Sequence, residues 1–331
     1  MALWVRTALW VRGGERLMTM TRTIRVGTRA SLLARTQTQL VIDAFAGSNP
    51  DVPVEVVLVS TEGDRSSQPL EQIGGTGVFV SALREALLAG EIDVAVHSFK
   101  DLPTALAPGI ALAAVPQRED PRDALCARDG LSLLELPAGA RIGTGSPRRT
   151  AQLRALDRGW EIVPIRGNVD TRLSKVGSGA DQLDAVVLAV AGLHRLGRGE
   201  VITELLDPIQ VLPAAAQGAL AVECRESDED ARALLAPLDD HTTRAAVAAE
   251  RSLLTALEAG CTAPVGALAE ITEGDDGLLE VFLRGSVTAI DGSDAVRLSA
   301  SGPLNTAEEI GLRLAAELID LGANIMMGSS K

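Results

Sequence analysis

The segment GEIDVAVHSFKDLPT, residues 90–104, contains a short apolar run that ends in a group of polar side chains. Its β-branched and apolar residues predict a buried strand over Ile92–Val96. In open α/β sheets, ligands bind where the strands end, so Asp101, close to Lys100 and Ser98, is a candidate for proton transfer. Taken alone, the segment is equally compatible with an ordinary polar loop.

Strands alternate with helices on both sides of this segment. Ser31 is placed to cap one helix, and Ser146, directly before Pro147, opens another. The alternation predicts two α/β lobes, each with a parallel sheet and right-handed crossovers. The predicted strands are 23–27, 54–60, 92–96, 110–115, 140–144, 161–165, 184–188 and 219–223.

The C-terminal part of the chain has a different pattern, which predicts a small α+β region. A helix is predicted over 242–258, and two antiparallel strands over 278–286 and 295–301. Thr306 and Glu309 have the spacing of a capping box at the start of a last helix.

Composition excludes several classes of protein. The chain has 331 residues, a net charge of −13 and only 2% aromatic residues, which argues against nucleic-acid binding. Its three cysteines are widely spaced and it has only three histidines, so neither a disulfide framework nor a metal site is predicted. This usage fits a reducing cytosol. A membrane span is not expected, because no apolar run reaches about 18 residues.

Residues 1–22 differ from the rest of the sequence. They contain the near-tandem repeat ALWVR-T-ALWVR, whose apolar runs are interrupted by Arg6 and Arg12. A signal peptide needs an uninterrupted apolar segment, so a disordered extension is predicted instead.

Several predicted strand-to-helix turns carry arginines and hydroxyl groups. A helix N-terminus offers unpaired N–H groups and a partial positive charge, and an added guanidinium makes it a carboxylate or phosphate clamp. Any one of these arginines could be a surface charge, but their repetition in two lobes predicts a ligand with several negative groups. The residues of these turns are Arg29, Ser31, Ser146, Arg148, Arg149, Arg166, Arg172 and, less directly, Arg195.

Cys261 lies in a loop of small residues just after a predicted helix. The negative end of a helix does not activate a thiol, and no histidine is near in sequence, so Cys261 is poorly set up as an ordinary nucleophile. It could still trap a very reactive electrophile, and both a functional and an inert role stay open. Cys126 and Cys224 lie in apolar stretches and are expected to be inert core residues.

Ten segments between Ile24 and Gly266 form a series of motifs: IRVGTRASLLA (24–34), STEGD (60–64), GGTGVFVSALREALL (74–88), DVAVHSFKDLPT (93–104), REDPRDAL (118–125), GTGSPRR (143–149), IRGNVDTRLSK (165–175), LAVAGLHRLG (188–197), PAAAQGALAVECR (213–225) and ERSLLTALEAGCTAPVG (250–266). These segments resemble the porphobilinogen deaminase (hydroxymethylbilane synthase) family, and they occur in the family's order.

The resemblance implies two α/β lobes like those of type II periplasmic binding proteins, plus a small α+β C-terminal domain. The expected domains are residues 23–117 with 218–236, residues 118–217, and residues 237–331. The implied activity joins four porphobilinogen molecules into the linear tetrapyrrole hydroxymethylbilane, with release of ammonia. The implied location is the cytoplasm and the implied state a monomer, with no nucleic-acid or membrane partner.

The resemblance also implies a cofactor and a set of site residues. The cofactor is dipyrromethane, attached to Cys261 through a thioether, and the catalytic carboxylate is Asp101. Gln72 and Thr76 stand where many family members carry lysine, in a predicted mobile loop over 66–77. The implied binding residues are Arg29, Ser31, Ser98, Lys100, Thr144, Ser146, Arg148, Arg149, Arg166, Gly167, Asn168, Arg172, Arg195 and Gln217.

Two other functions are compatible with parts of the sequence. An anion-binding solute-binding protein would share the two lobes and the arginines, although not the third domain or the loop cysteine. A cysteine hydrolase would need a histidine close to Cys261 in space.

Overall fold

The computed structural model describes residues 4–10, 16–59, 77–105, 107–179, 181–259, 263–274 and 277–327. The chain divides into two compact units. Unit 1 comprises Met1–Leu102, Leu106–Gln117 and Leu220–Asp240, and unit 2 comprises Pro103–Ala105, Arg118–Ala219 and His241–Lys331. The predicted separation of 118–217 from 237–331 as two domains stays a prediction, because both segments fall in unit 2.

The described elements follow one another along the chain as strands and helices. The strands are β1 (Trp4–Trp10), β2 (Arg16–Arg22), β3 (Ile24–Thr28), β4 (Val54–Leu58), β5 (Val94–Ser98), β6 (Ile110–Ala114), β7 (Asp123–Ala127), β8 (Arg141–Thr144), β9 (Glu161–Pro164), β10 (Ala185–Ala189), β11 (Glu204–Leu205), β12 (Leu220–Arg225), β13 (Val265–Glu273), β14 (Leu279–Thr288) and β15 (Ala295–Pro303). The α-helices are α1 (Leu32–Ser48), α2 (Gly77–Leu88), α3 (Pro147–Ala155), α4 (Val169–Leu173), α5 (Val190–Arg195), α6 (Glu229–Leu235), α7 (His241–Ala256), α8 (Ala307–Asp320) and α9 (Ala323–Met326).

Within the described residues, unit 1 contains a sheet with the strand order β4-β3-β5-β12-β6. Strand β3 runs parallel to β4 and β5, as predicted, whereas β12 is antiparallel to both of its neighbours. The prediction of an entirely parallel sheet is therefore wrong. Alternation of strands and helices predicts parallel pairs along a continuous stretch, but β12 comes from a distant part of the sequence.

Helix α1 packs on this sheet through one face. Gln37, Val41 and Phe45 are spaced four residues apart, so they lie on the same side of the helix, and all are buried. Ser31 begins the helix as predicted, because its Oγ accepts a hydrogen bond from the Ala34 N–H at 3.3 Å. Gly90 ends α2 with a φ of +71°, as expected of the residue that follows a helix.

Unit 1 buries two groups of charged side chains. Glu223 on β12 accepts hydrogen bonds from the Arg84 guanidinium at 2.6 and 3.0 Å, and His97 Nε2 lies 3.3 Å from its Oε2 atom. Asp93, which is fully buried, pairs with Arg25 and Arg225 at 2.9 and 2.7 Å. Since buried charges are costly unless they are paired, both groups connect strands that are distant in sequence.

Unit 2 contains, among its described residues, a sheet with the order β11-β7-β10-β8-β9. Strands β8, β9 and β10 are parallel, and β7 is antiparallel to β10 and β11. This sheet is also mixed rather than parallel as predicted. Strand β7 is not among the predicted strands, because its apolar run after Asp123 is only four residues long.

The C-terminal sheet of unit 2, β13-β14-β15 in the described residues, is antiparallel throughout. Helices α7 and α8 cover one of its faces and bury Leu253 and Leu314 against Leu283 and Val287 of β14. The two predicted strands are confirmed as β14 and β15, and β13 is an additional strand. The predicted capping box at Thr306 is wrong, because its Oγ1 donates to the Pro303 carbonyl instead of accepting a helix N–H.

Glu250 on α7 joins this sheet to the preceding part of unit 2. Its fully buried carboxylate accepts two hydrogen bonds from Arg118, at 2.6 and 3.0 Å, and one from the Ala269 N–H at 2.8 Å. It also accepts from the Ala216 N–H. One buried acceptor thus fixes a helix, a strand and a tight turn.

The prediction of a disordered N-terminal extension is wrong for residues 4–10 and 16–22, which the structure describes. Strands β1 and β2 pair antiparallel over their whole length, from Trp4 opposite Arg22 to Trp10 opposite Arg16, where a disordered segment was predicted. The segment is rich in residues that favour strands, such as Trp, Val and Thr, and pairing satisfies its backbone groups. In the part of the chain that the structure describes, no helix is long and apolar enough to cross a membrane.

We expect Glu223 to make stability depend on acid pH. Burial opposes its ionisation, but the nearby His97 ring and the Arg84 guanidinium prevail and lower its pKa from 4.5 to about 2. A lowered carboxyl pKa gives stability that is complete above the unfolded value of 4.5 and is lost as the pH falls through about 2. The shift corresponds to on the order of 3 kcal/mol at neutral pH.

The test is urea unfolding of the Glu223→Gln variant between neutral pH and pH of about 2. The free energy of unfolding of the variant should be lower at neutral pH, and the difference from the parent chain should shrink as the pH falls. Glu226→Gln, which changes an exposed carboxylate one residue beyond β12, is the matched control. A difference that stays constant over this pH range would contradict the assignment.

Candidate active site

The predicted catalytic segment lies at the carboxyl edge of the unit 1 sheet. Strands β3 and β5 are parallel neighbours, with Val26 opposite Val94, so their carboxyl ends meet at one edge. Arg29 follows the end of β3, and Asp101 lies three residues beyond the end of β5. The structure therefore brings together the predicted residues of these two turns.

A tight turn over Phe99–Asp101 holds the candidate carboxylate. Phe99 is buried and anchors the turn, whereas Lys100 and Asp101 are half-buried. Ser98, the last residue of β5, donates a hydrogen bond from its Oγ to Gln37 Oε1 at 3.0 Å. Since Gln37 belongs to α1, this bond fixes the strand end against the helix that Ser31 caps.

The other predicted residues follow the parallel strands of unit 2. Strand β8 leads to the Ser146 cap of α3, and Ser146 N–H donates to Thr144 Oγ1 at 3.2 Å. Strand β9 leads to Asn168, whose Oδ1 accepts from the Thr171 N–H at 2.8 Å and so caps α4. Two helix N-termini therefore stand at one edge of this sheet, as the sequence predicts, and each offers backbone N–H groups.

The sequence predicts that Arg148 and Arg149 bind an anionic ligand, but both pair with a carboxylate inside the fold. Both side chains are buried, and both pair with the fully buried carboxylate of Asp123, at 2.8 and 2.6 Å. Arg148 also donates to the Leu212 carbonyl, and Arg149 to the Val187 carbonyl. Their charges are thus partly balanced inside the fold and are not wholly available to a ligand.

Sequence reasoning missed Asp123. Burial opposes ionisation of its carboxyl, but Arg148 and Arg149 outweigh burial and hold its pKa below the ordinary value. Gln217 completes the group, because its Nε2 donates to Asp123 Oδ1 at 2.8 Å and also to the Pro121 carbonyl. The available signal was an acidic residue at the head of the apolar run ALCA.

Arg149, Arg166 and Arg172 form a cluster of positive charge, which we call the arginine cluster. The pKa of Arg172 is lowered first by burial and then by the charges of Arg149 and Arg166. Arg172 donates from Nε to the Gly167 carbonyl at 2.8 Å, which holds it beside the turn that carries Arg166. Guanidinium groups that repel one another are well suited to a ligand with several carboxylates.

Arg195, in the last turn of α5, contacts the turn at Gly218. Its Nη2 donates to the Gly218 carbonyl at 2.6 Å. Gly218 has a φ of +89°, and a Cβ there would lie 2.3 Å from the Glu119 carbonyl oxygen, so only glycine fits. Burial lowers the pKa of Arg195, and the charge of Glu119 partly opposes this effect.

The cysteines divide into two groups. Cys126 and Cys224 are confirmed as buried free thiols, and burial raises their pKa to about 12 and about 11, which makes them poor nucleophiles. Cys261, the predicted attachment site, lies outside the described residues. So does the predicted mobile loop up to residue 76, with Gln72 and Thr76, whereas Gly77 is the first residue of α2.

Comparison with known families identifies the chain. Residues 24–233 match the family model for the dipyrromethane cofactor-binding domain of porphobilinogen deaminase, and residues 244–320 match that for its C-terminal domain. The chain belongs to the porphobilinogen deaminase family. The family, the dipyrromethane cofactor and the tetrapyrrole-forming function predicted from the sequence are confirmed, and the solute-binding alternative is not favoured.

Individual relatives in the porphobilinogen deaminase family cover nearly all of the chain. The porphobilinogen deaminase of Nocardia farcinica is 59% identical, over 92% of this chain and 88% of its own length. That of Mycobacterium tuberculosis is 58% identical, over 92% of this chain and 98% of its own length.

Solved structures outside the porphobilinogen deaminase family show weaker likeness. The methionine-binding protein MetQ has a TM-score of 0.41 at 13% identity, over 65% of this chain and 89% of its own. The substrate-binding domain of a molybdenum ABC transporter from Clostridium difficile has a TM-score of 0.42 at 11% identity, over 66% and 92%. The fold class, two α/β sheets with helices and a small C-terminal α+β part, is confirmed by the sheets themselves.

The residues present fit a dipyrromethane group. Two linked pyrrole rings carry acetate and propionate side chains, and the arginine cluster provides cations that lie close enough to repel one another. The two capped helix N-termini at the same edge add N–H donors. An anionic group bound there would relieve that repulsion.

We expect the Asp123→Asn variant to be strongly destabilised. Without the carboxylate, Arg148 and Arg149 would leave buried positive charge without a counterion, at a cost of about 3–5 kcal/mol in the free energy of unfolding. Asp129→Asn removes the exposed partner of Arg128 and is the matched control, with an expected cost of at most about 1 kcal/mol. Chemical denaturation measures both, and equal effects would show that Asp123 is not a structural counterion.

Proposed function

We propose that this chain catalyses the hydroxymethylbilane synthase reaction. Four porphobilinogen molecules are joined head to tail, one ammonia leaves for each, and water releases the linear tetrapyrrole. The observation that carries this proposal is the arginine cluster at a sheet edge with two helix N-termini, in a chain of the porphobilinogen deaminase family.

The basic residues are proposed to hold the pyrrole side chains. Each porphobilinogen adds an acetate and a propionate, so the bound chain gains two negative charges at every addition. Arg166 and Arg172 would bind these carboxylates together with the hydroxyl and amide groups of Ser146 and Asn168, whereas Arg148 acts mainly within the fold. Arg29, Ser31, Ser98 and Lys100 are proposed to contact the reacting ring, because they lie at the same sheet edge as Asp101.

Asp101 is proposed as the catalytic carboxylate. Loss of ammonia breaks the bond between the aminomethyl carbon and nitrogen of the substrate and leaves a cation delocalised over the pyrrole ring. A carboxylate stabilises that cation. It can also accept the proton that the nucleophilic ring carbon loses after it has formed the new carbon–carbon bond to the methylene carbon of the cation. The buried Phe99 fixes the turn, so the carboxylate needs little reorganisation.

Cys261 is proposed to anchor the dipyrromethane group through a thioether. When bound, this group supplies the nucleophilic ring carbon on which the new chain begins. Its carboxylates would be held by the arginine cluster. The buried Cys126 and Cys224 would not compete for attachment, because burial keeps both thiols protonated.

The location and the state of assembly are further proposals. A cytoplasmic protein is supported by two described cysteines that are free thiols rather than a disulfide. A monomer is proposed by analogy with the family. Sedimentation of the purified protein would measure its mass in solution.

Asp101→Asn should lower kcat for porphobilinogen consumption by about 100- to 10,000-fold, because the amide neither stabilises a cation nor accepts a proton. The matched control is Asp43→Asn, an exposed residue of α1, which should retain the parent rate. Thermal unfolding should show that both variants are folded. A kcat for Asp101→Asn within about threefold of the parent value would refute this role.

The anchor is tested by the intact mass of the purified protein, followed by peptide mapping. The parent chain and Cys126→Ser should both carry the mass of two linked pyrrole units on the peptide that contains Cys261. Cys261→Ser should lack it, even after incubation with porphobilinogen. A parent chain that stays unmodified after that incubation would overturn the proposed function.

A further inference from the structure

A cavity lies in unit 2, on the face of the C-terminal sheet that is turned away from α7 and α8. Its volume is about 420 Å³, within the range of small-molecule sites. One wall is the outer face of β14 and β15, and the other is the segment Pro208–Leu212. None of its lining residues belongs to the candidate active site.

The two walls are held together by the backbone. The Ala267 N–H of β13 donates to the Pro213 carbonyl at 2.9 Å. Gly266 leaves room for the segment, because a Cβ at that position would lie 2.9 Å from the Leu212 carbonyl oxygen. The cavity is therefore preformed by contacts within unit 2.

Two arginines are placed on this face of the sheet. Arg284 lies opposite Ser299 across the β14–β15 ladder, and Arg297 lies opposite Ser286. Because Arg284 and Ser286 are two residues apart on one strand, both guanidiniums project from the same side. Each of them lines the cavity.

The hydrogen bonds of these arginines leave donor capacity. Arg297 donates to the carbonyls of Ile209 and Gln210. Arg284 donates from Nη2 to Glu270 at 2.7 Å, and within the described residues its buried Nε–H has no hydrogen-bond partner. A guanidinium has five donors, so both retain some for a ligand.

The remaining lining is apolar. Pro208 and Leu212 line the cavity, and Ile209 is 71% exposed at its wall. Arg284 and Arg297 concentrate positive charge here, in a chain whose net charge is −13. Cations beside an apolar surface suit an anion with an apolar body better than a fully hydrated inorganic ion.

We infer that this cavity binds a small organic carboxylate, whose carboxylate contacts Arg284 and Arg297 and whose apolar body lies against Pro208, Ile209 and Leu212. The site is separate from the proposed catalytic chemistry, and occupancy is not required for turnover.

The test uses para-trifluoromethylbenzoate as the probe and fluorine NMR of the holoenzyme as the readout. The probe signal should broaden and shift with saturation, whereas the uncharged para-trifluoromethylbenzamide should bind at least about tenfold more weakly. Inorganic phosphate at the same concentration as the probe should not displace it. Equal binding of the amide, or displacement by phosphate, would overturn the assignment to an organic carboxylate.

Variants locate the bound probe. Arg284→Gln should weaken binding about tenfold, and so should Ile209→Glu, which keeps both arginines and adds a repelling charge to an exposed wall position. Arg313→Gln, an exposed arginine of α8 that donates to the Ser301 carbonyl, is the matched control and should bind normally. All three should consume porphobilinogen at the parent rate, which shows that they are folded.

Arg172→Gln distinguishes this cavity from the arginine cluster. Probe binding that survives in Arg172→Gln and is lost in both cavity variants supports the inference. Binding that is lost in Arg172→Gln and kept in the cavity variants belongs to the cluster, and would overturn it. Absence of any binding to the parent chain at millimolar probe would overturn it as well.

Discussion

The buried carboxylate of Asp123 is the interaction on which the basic side of unit 2 depends. A fully buried negative charge is tolerated only with close counterions and hydrogen-bond donors. Arg148 and Arg149, both on α3, and Gln217, in the turn before β12, supply them. Because Arg149 is fixed in this way, its charge stands near Arg166 and Arg172. The buried Asp123 carboxylate thus helps to position the arginine cluster, which can bind a negatively charged ligand.

Both α/β sheets place their candidate site residues in the same way. Parallel strands that end together present their following turns at one edge, and a helix that begins there adds N–H groups. In unit 1 this edge carries Arg29 and Asp101, and in unit 2 it carries Ser146 and Asn168. Arginines and helix caps follow strands in both units, but the candidate catalytic carboxylate, Asp101, follows β5 in unit 1.

The sequence predicted local features well and long-range ones poorly. The caps at Ser31 and Ser146 depend on a few neighbouring residues, and the structure confirms both. The antiparallel direction of β12 and the counterion role of Asp123 depend on partners far along the chain, and a periodic pattern carries no information about them. Thr306 is an exception among the local features. Its spacing to Glu309 fits a capping box, but its hydroxyl donates to the Pro303 carbonyl and makes no cap. The family and its cofactor could be predicted only because whole sequence motifs resembled those of the family.

The position of β12 has a consequence for how the protein is made. This strand is hydrogen-bonded to β5 on one side and to β6 on the other, yet it is translated only after the whole of 118–219. Until then, a nascent chain emerging from the ribosome has β5 and β6 with unpaired edges and with Asp93 lacking Arg225. Such edges are prone to pair with other chains, so the slow arrival of β12 defines an interval during synthesis in which unit 1 is open to aggregation and to chaperones.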